Sequence, residues 1–220
     1  MLKAFWLRWT LNCAAGEILG IAIAAGLAGL VLMTLGEPQS WPTRIGFLLL
    51  MLGAGALEGY AVGWFQWRVL RERFTVPKAD WIGATVSVAV LGWLLGMLPS
   101  TLASNPESGA VAFEPSLGQI ALFALLFGLG AGVLFGIGQW VVLRHYAEGA
   151  GVWVMANALG WGLALVWIYP IASSMPVGIA LWQQVLLGAL AGLLSGVSIG
   201  GITGWFLLRI QPKLGQAQRA

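Results

Sequence analysis

LNCAAGEILGIAIAAGLAGLVLMTL, residues Leu11 to Leu35, holds a single charged side chain, Glu17, in an otherwise apolar or weakly polar run. About 20 consecutive apolar residues suffice to cross the hydrocarbon core of a bilayer as a helix. The stretch is therefore expected to span a membrane. Lys3 and Arg8 precede it, as basic residues precede a cleaved signal, but it is too long for a signal core and later segments share its pattern. It is expected to be retained.

Working outward, the rest of the chain has the same character. Hydrophobic residues make up 59% and charged residues 9% of the 220, against about 25% charged in an average soluble domain. So few charges cannot cover a water-facing surface. Apolar runs of spanning length fall at 10–35, 45–70, 81–102, 118–143, 152–174 and 181–208, which predicts an all-α integral membrane protein with six transmembrane helices in one domain, 1–220. Pro38, Pro42, Pro106, Pro115 and Pro176 punctuate the connections 36–44, 103–117 and 175–180, and Pro99 and Pro170 stand just before two of them.

Those three connections lie on one side. Lys3, Arg8, Arg68, Arg71, Arg73, Lys78, Arg144, Arg209, Lys213 and Arg219 lie on the other, and only Arg44 opposes them. The positive-inside rule then places both termini in the cytoplasm, as in a bacterial inner membrane. The net charge of +3 is spent on this asymmetry rather than on a nucleic-acid stripe. The expected surroundings are lipid, partner membrane subunits or further copies of the chain. Trp6, Trp9, Trp41, Trp67, Trp81, Trp140, Trp153, Trp182 and Trp205 cluster near helix ends and read as an interfacial belt.

An internal pattern runs through the spans. Trp9, Trp81 and Trp153 open the odd-numbered helices at a constant spacing of 72. The even helices end alike: Gln66, Trp67, Arg68, Val69, Leu70, Arg71 parallels Gln139, Trp140, Val141, Val142, Leu143, Arg144, and the last helix closes on Trp205, Phe206, Leu207, Leu208, Arg209. Gly55, Gly59 and Gly63 recur as Gly128, Gly132 and Gly136, with Gly192, Gly196 and Gly200 in the sixth helix one residue out of step with the WxxLR ending. The chain thus divides into hairpin repeats at about 9–71, 81–144 and 153–209. Glycine every fourth residue smooths a helix face for close packing, which predicts that the even helices form the inner set. Asn12, Thr85 and Asn157, with Gln66 and Gln139, are expected to form a polar layer one turn in from the basic side.

The QWxxLR endings, each followed by a tryptophan-led helix, and the Leu159, Gly160, Trp161 triplet resemble a family of uncharacterised bacterial multi-pass membrane proteins. The resemblance covers most of the chain and implies the architecture, with no activity attached. The threefold hairpin plan resembles mitochondrial carriers in outline only, since their Pro-x-acidic-x-x-basic signature is absent.

Two departures from the pattern are acidic. Glu17 corresponds to Trp161 in the third copy and, if one extra helical turn is allowed, to Trp93 in the second; Glu58 corresponds to Ala131 in the second and to Ser195 or Gly196 in the third, by the glycine or the WxxLR register. Counting from the basic ends, both lie roughly 12 to 15 Å deep. A carboxylate at such depth costs about 2.5 to 3.5 kcal/mol on insertion scales and usually faces a cavity, a partner or the bundle interior. Two of them at one level can share a proton or hold a cation; the alternative is that they are hydrogen-bonded to Asn12, Gln66 or Tyr60 and serve packing alone.

The chemistry available elsewhere is sparse. Cys13 is the only cysteine and His145 the only histidine, Asp80 is the only aspartate, and the Gly196 to Gly200 GxSxG string falls inside an apolar helix instead of at a strand-to-helix turn. No Walker motif is present. Neither enzymatic activity nor a metal or other cofactor is expected. Two functions fit: binding or translocation of a small solute or ion at Glu17 and Glu58, with Asn12 and Gln66 as further candidate ligands, or an accessory, scaffolding role in a larger membrane complex.

Overall fold

The computed structural model describes residues 2–102, 115–176 and 178–213. Pro106 and Arg219 lie outside them. Six helices, α1 (Leu2–Leu35), α2 (Trp41–Leu70), α3 (Lys78–Leu102), α4 (Leu117–Leu143), α5 (Val152–Ser173) and α6 (Leu181–Leu207), are each long and apolar enough to cross a membrane. The protein is an all-α, multi-pass membrane protein. Two short strands, β1 (Ala147–Glu148) and β2 (Gln211–Pro212), pair antiparallel where the chain leaves α4 and α6.

Several boundaries differ from the expected ones for local physical reasons. Helix α1 begins at Leu2 instead of near residue 10, because Phe5 and Trp9 are buried against Val69, Leu70 and Phe74, and that packing extends the helix beyond its apolar run. Helix α2 begins at Trp41, where the Ser40 hydroxyl accepts from the Thr43 N–H and the Thr43 side chain accepts from the Ser40 N–H. Such a capping box satisfies free donors of the first turn, and Pro42 in that turn sacrifices no helical bond. Ser116 and Gln119 cap α4 in the same way. Pro99 and Pro170 sit within the last turns of α3 and α5 instead of ending them.

The helices follow one another around a ring: α1 packs on both α2 and α6, α2 on α3, α4 on α5 and α5 on α6, while α3 and α4 meet least. The even helices are therefore not an inner set. Their glycine faces receive odd helices instead. Gly59 and Gly63 lie against the backbone of Val86 and Ile82 in α3, and Gly55 against the Trp93 ring. Gly128, Gly132 and Gly136 lie against the backbone of Trp161, Ala158 and Val154 in α5, and Gly192, Gly196 and Gly200 against that of Ile18, Ala14 and Thr10 in α1. Dispersion attraction at such close approach drives helix association where no hydrophobic force operates between helices.

At the end bearing the basic residues, a buried cluster joins the starts of odd helices to the ends of even ones. Trp9, Trp81 and Trp153 are all 0% exposed, and the Trp153 ring centroid lies 5.9 Å from that of Trp9 and 6.0 Å from that of Trp81. These three are core residues and not members of an interfacial belt. Trp41, Trp182 and Trp205 do face outward. In each WxxLR ending the arginine lies over the tryptophan one turn earlier, at 4.8 Å for Arg71 on Trp67, 5.0 Å for Arg144 on Trp140 and 3.2 Å for Arg209 on Trp205. Such stacking holds the charge at the ring face. Arg73 ties the end of α2 to the end of α6 by donating to the carbonyls of Leu207 and Ile210, at 2.9 and 3.2 Å.

The buried leucines follow the glycine spacing in all three even helices. Leu70, Leu143 and Leu207 are 0% exposed, and each follows Gly63, Gly136 or Gly200 by the same interval. The packed leucine is Leu207, so α6 keeps the glycine register and the WxxLR leucine, Leu208, stands beside it.

Candidate functional site

Helices α1 and α2 touch through small residues of α1. A Cβ at Gly16 would lie 2.8 Å from Val62 Cα, and one at Gly20 would lie 2.8 Å from Glu58 Cβ and 2.9 Å from its Cα. This contact sets the stem of Glu58 on α1 one turn beyond Glu17. The two carboxyl groups thereby become neighbours.

Their surroundings differ. Glu17 is 0% exposed, with α6 pressed on its backbone at Gly192, and neither of its carboxyl oxygens has a hydrogen-bond partner, the Glu58 carboxyl included. The two acids thus interact through space without a bond of good alignment. Glu58 is 6% exposed, and one of its oxygens accepts from the Trp93 indole N–H at 2.5 Å. A bond of that length to a carboxylate fixes the group's orientation.

Glu58 also lines a cavity of about 240 Å³ bordered chiefly by α3, α4 and α5. Five aromatic residues wall it: Trp93, Phe127, Phe135, Trp161 and Tyr169. Phe135 and Trp161 overlap at 4.3 Å between centroids, and Phe127 meets Tyr169 edge-on at 6.3 Å. The space exists because small residues, Ala89, Gly92 and Gly96 of α3 and Ala131 of α4, occupy facing positions. A second hollow shares Gly96, Phe127 and Tyr169 with the first and continues between α3 and α4 past Pro99 and Phe123, along the least packed seam of the ring.

One turn toward the basic end lies a separate polar layer. Gln139 donates to the Gln66 carbonyl and the Thr85 hydroxyl, both at 3.0 Å, and accepts from the Trp153 indole at 3.1 Å. Gln66 donates weakly to the Cys13 sulfur at 3.8 Å, and Trp9 donates to Thr203 at 2.9 Å. Gln66 thus belongs to this layer and bonds to neither acid. Asn12 is not part of the layer or the acid pair: its amide donates to the Arg8 carbonyl of its own helix at 2.8 Å. The buried position that corresponds to Thr85 and Asn157 at the 72-residue spacing is that of Cys13. Tyr60, another expected partner of the acids, is 52% exposed.

Of the sequence candidates, the structure unites Glu17 with Glu58 and sets Asn12 and Gln66 apart. Sequence reasoning passed over the aromatic wall. Its one available signal was position: Trp93 and Trp161 fall well inside their spans, where an interfacial ring has no reason to be. No protein-family model, no curated protein and no solved structure matches the chain, and the QWxxLR resemblance rests on the quoted residues alone.

Proposed function

We propose that this is a non-enzymatic membrane protein that binds or translocates a small solute or ion, with Glu17 and Glu58 as its protonatable site. The observation that carries this is Glu17, a fully buried carboxyl with no hydrogen-bond partner beside a second buried acid at the edge of a cavity. An unsatisfied buried polar group costs stability; the core Trp81 indole is also without a partner, but a carboxyl carries the larger desolvation cost. Packing does not call for acids at these levels either. In the glycine register Glu58 corresponds to Ala131 and Ser195, and at the 72-residue tryptophan spacing Glu17 corresponds to Trp161.

The three hairpins, about 9–71, 81–144 and 153–209, are read as copies of one unit; both acids belong to the first, while the cavity beside Glu58 is lined mostly by the second and third, and transporter sites often lie where copies meet. Both termini are assigned to the cytoplasm of a bacterial inner membrane because the arginines and lysines gather at their end. The alternative is a scaffolding subunit. Outward-facing Trp41, Trp182 and Trp205 suit contact with lipid or partners, but the glycine faces that such a role would offer are filled by the protein's own helices.

Infrared titration of the carboxyl bands in reconstituted protein tests the pair, comparing wild type with Glu17→Gln, Glu58→Gln and the double variant. Coupling predicts that removing either acid moves the transition of the other. Two transitions indifferent to each other's removal would sink the proposal and leave the scaffold in its place.

A further inference from the structure

We infer that the aromatic cavity binds a compact lipophilic organic cation, a quaternary or protonated amine bearing aromatic or aliphatic bulk, with Glu58 as its counter-ion. This rests on the Glu17 and Glu58 site proposed above and names its ligand class.

Four features converge on that class. The first is charge: no lysine or arginine stands among the residues lining the cavity, so a carboxylate there has no built-in counter-ion. An unpaired charge in a medium of low dielectric attracts an opposite one strongly. The second is the wall, since Trp93, Phe127, Phe135, Trp161 and Tyr169 present rings whose faces attract alkylammonium groups. The third is coordination. A desolvated inorganic cation needs several oxygen ligands, and the lining side chains offer only the Glu58 carboxylate and the Tyr169 hydroxyl. An organic cation, already wrapped in carbon, needs none. The fourth is size and access: a cavity of about 240 Å³ suits one ring plus a trimethylammonium head, not a large multi-ring dye, and the adjoining hollow leads along the seam between α3 and α4.

Trp93 prepares the acid for this task. Its indole N–H holds one Glu58 oxygen while the same ring forms part of the wall, so carboxylate and aromatic face are fixed relative to each other. Gly96 keeps the opposite side open: a Cβ there would lie 3.6 Å from the Tyr169 hydroxyl and 3.7 Å from the Phe127 ring.

The probe is radiolabelled benzyltrimethylammonium, measured by equilibrium dialysis against the full chain in nanodiscs of zwitterionic lipid. Competitors are its neutral isostere neopentylbenzene, the anion phenylmethanesulfonate, and sodium or potassium chloride. Expected is saturable binding that weakens about tenfold or more in Glu58→Gln, from loss of the counter-ion. Gly96→Leu, which fills the space and leaves every charge in place, should weaken it comparably, whereas Gly130→Ala, on an open helix face, should not. Neither the neutral nor the anionic competitor, nor sodium or potassium chloride, should displace the probe. Binding that ignores both Glu58→Gln and Gly96→Leu, or displacement by the neutral isostere as readily as by unlabelled cation, overturns the assignment. Absence of probe binding in a protein whose infrared bands show the coupled pair rejects the organic cation alone. Absence of both rejects the site with it.

Discussion

Glu17 separates a functional acid from a structural one by the sign of a single substitution. Its carboxyl is buried without a donor, and relieving an unsatisfied buried polar group is worth about 1 to 3 kcal/mol. Glu17→Met, similar in length and apolar, should therefore raise the thermal unfolding midpoint in detergent. A lowered midpoint would mean that the acid holds the helices together and that its isolation is not a cost borne for function. The neighbourhood was only partly legible in the sequence. The two acids stood out because they broke a repeating pattern. Cys13 did not, since Asn12 next to it is more polar and drew the assignment, although the 72-residue spacing from Thr85 and Asn157 falls on Cys13. Trp9, Trp81 and Trp153 were misjudged because belt and core tryptophans occur at the same distance from a helix end. Only the angular position around the helix tells them apart, and an apolar helix, with no polar face, gives no clue to that angle.

Among helices, the glycines divide into those pressed on a neighbour and those facing open space. Gly132 and Gly130 are close in α4, yet a Cβ at Gly132 would lie 2.6 Å from Ala158 Cα in α5, whereas one at Gly130 would meet nothing within 4 Å. Gly132→Ala should destabilise the protein by about 1 to 3 kcal/mol through overpacking, while Gly130→Ala should leave it unchanged or up to about 1 kcal/mol more stable from helix propensity. Denaturation of the two purified variants side by side measures the difference. Equal effects would contradict the α4 to α5 packing. The four-residue glycine period was plain in the sequence, and so was its meaning as a packing face. Which helix the face receives was not, because a smooth surface accepts any neighbour that presents backbone.

Across the whole molecule, the number of spans followed from hydropathy, while their order around the ring did not. Short connections favour neighbours in sequence, but they say nothing about α1 meeting α6. The seam between α3 and α4 is the most sparsely packed in the ring, and it can be tested by a covalent link. A Cβ built at Gly138 would lie 3.6 Å from Val88 Cβ, within the range that a disulfide spans. In a Cys13→Ser background, Val88→Cys with Gly138→Cys should cross-link on mild oxidation and run as a faster band on non-reducing gels. Failure to cross-link would place the two helices farther apart at this level.

Closure of the ring by α6 has a consequence for how the protein is made. Glu17 lies in α1, which leaves the ribosome well before α6, the helix that seals its level through Gly192 against Glu17 and Ile18. Throughout synthesis the nascent chain carries an acid with no finished protein wall around it, shielded only by lipid, by Glu58 once α2 has entered, or by the insertion machinery. A ribosome that stalls before α6 leaves that acid without its α6 wall, and a carboxylate so placed within a bilayer is costly.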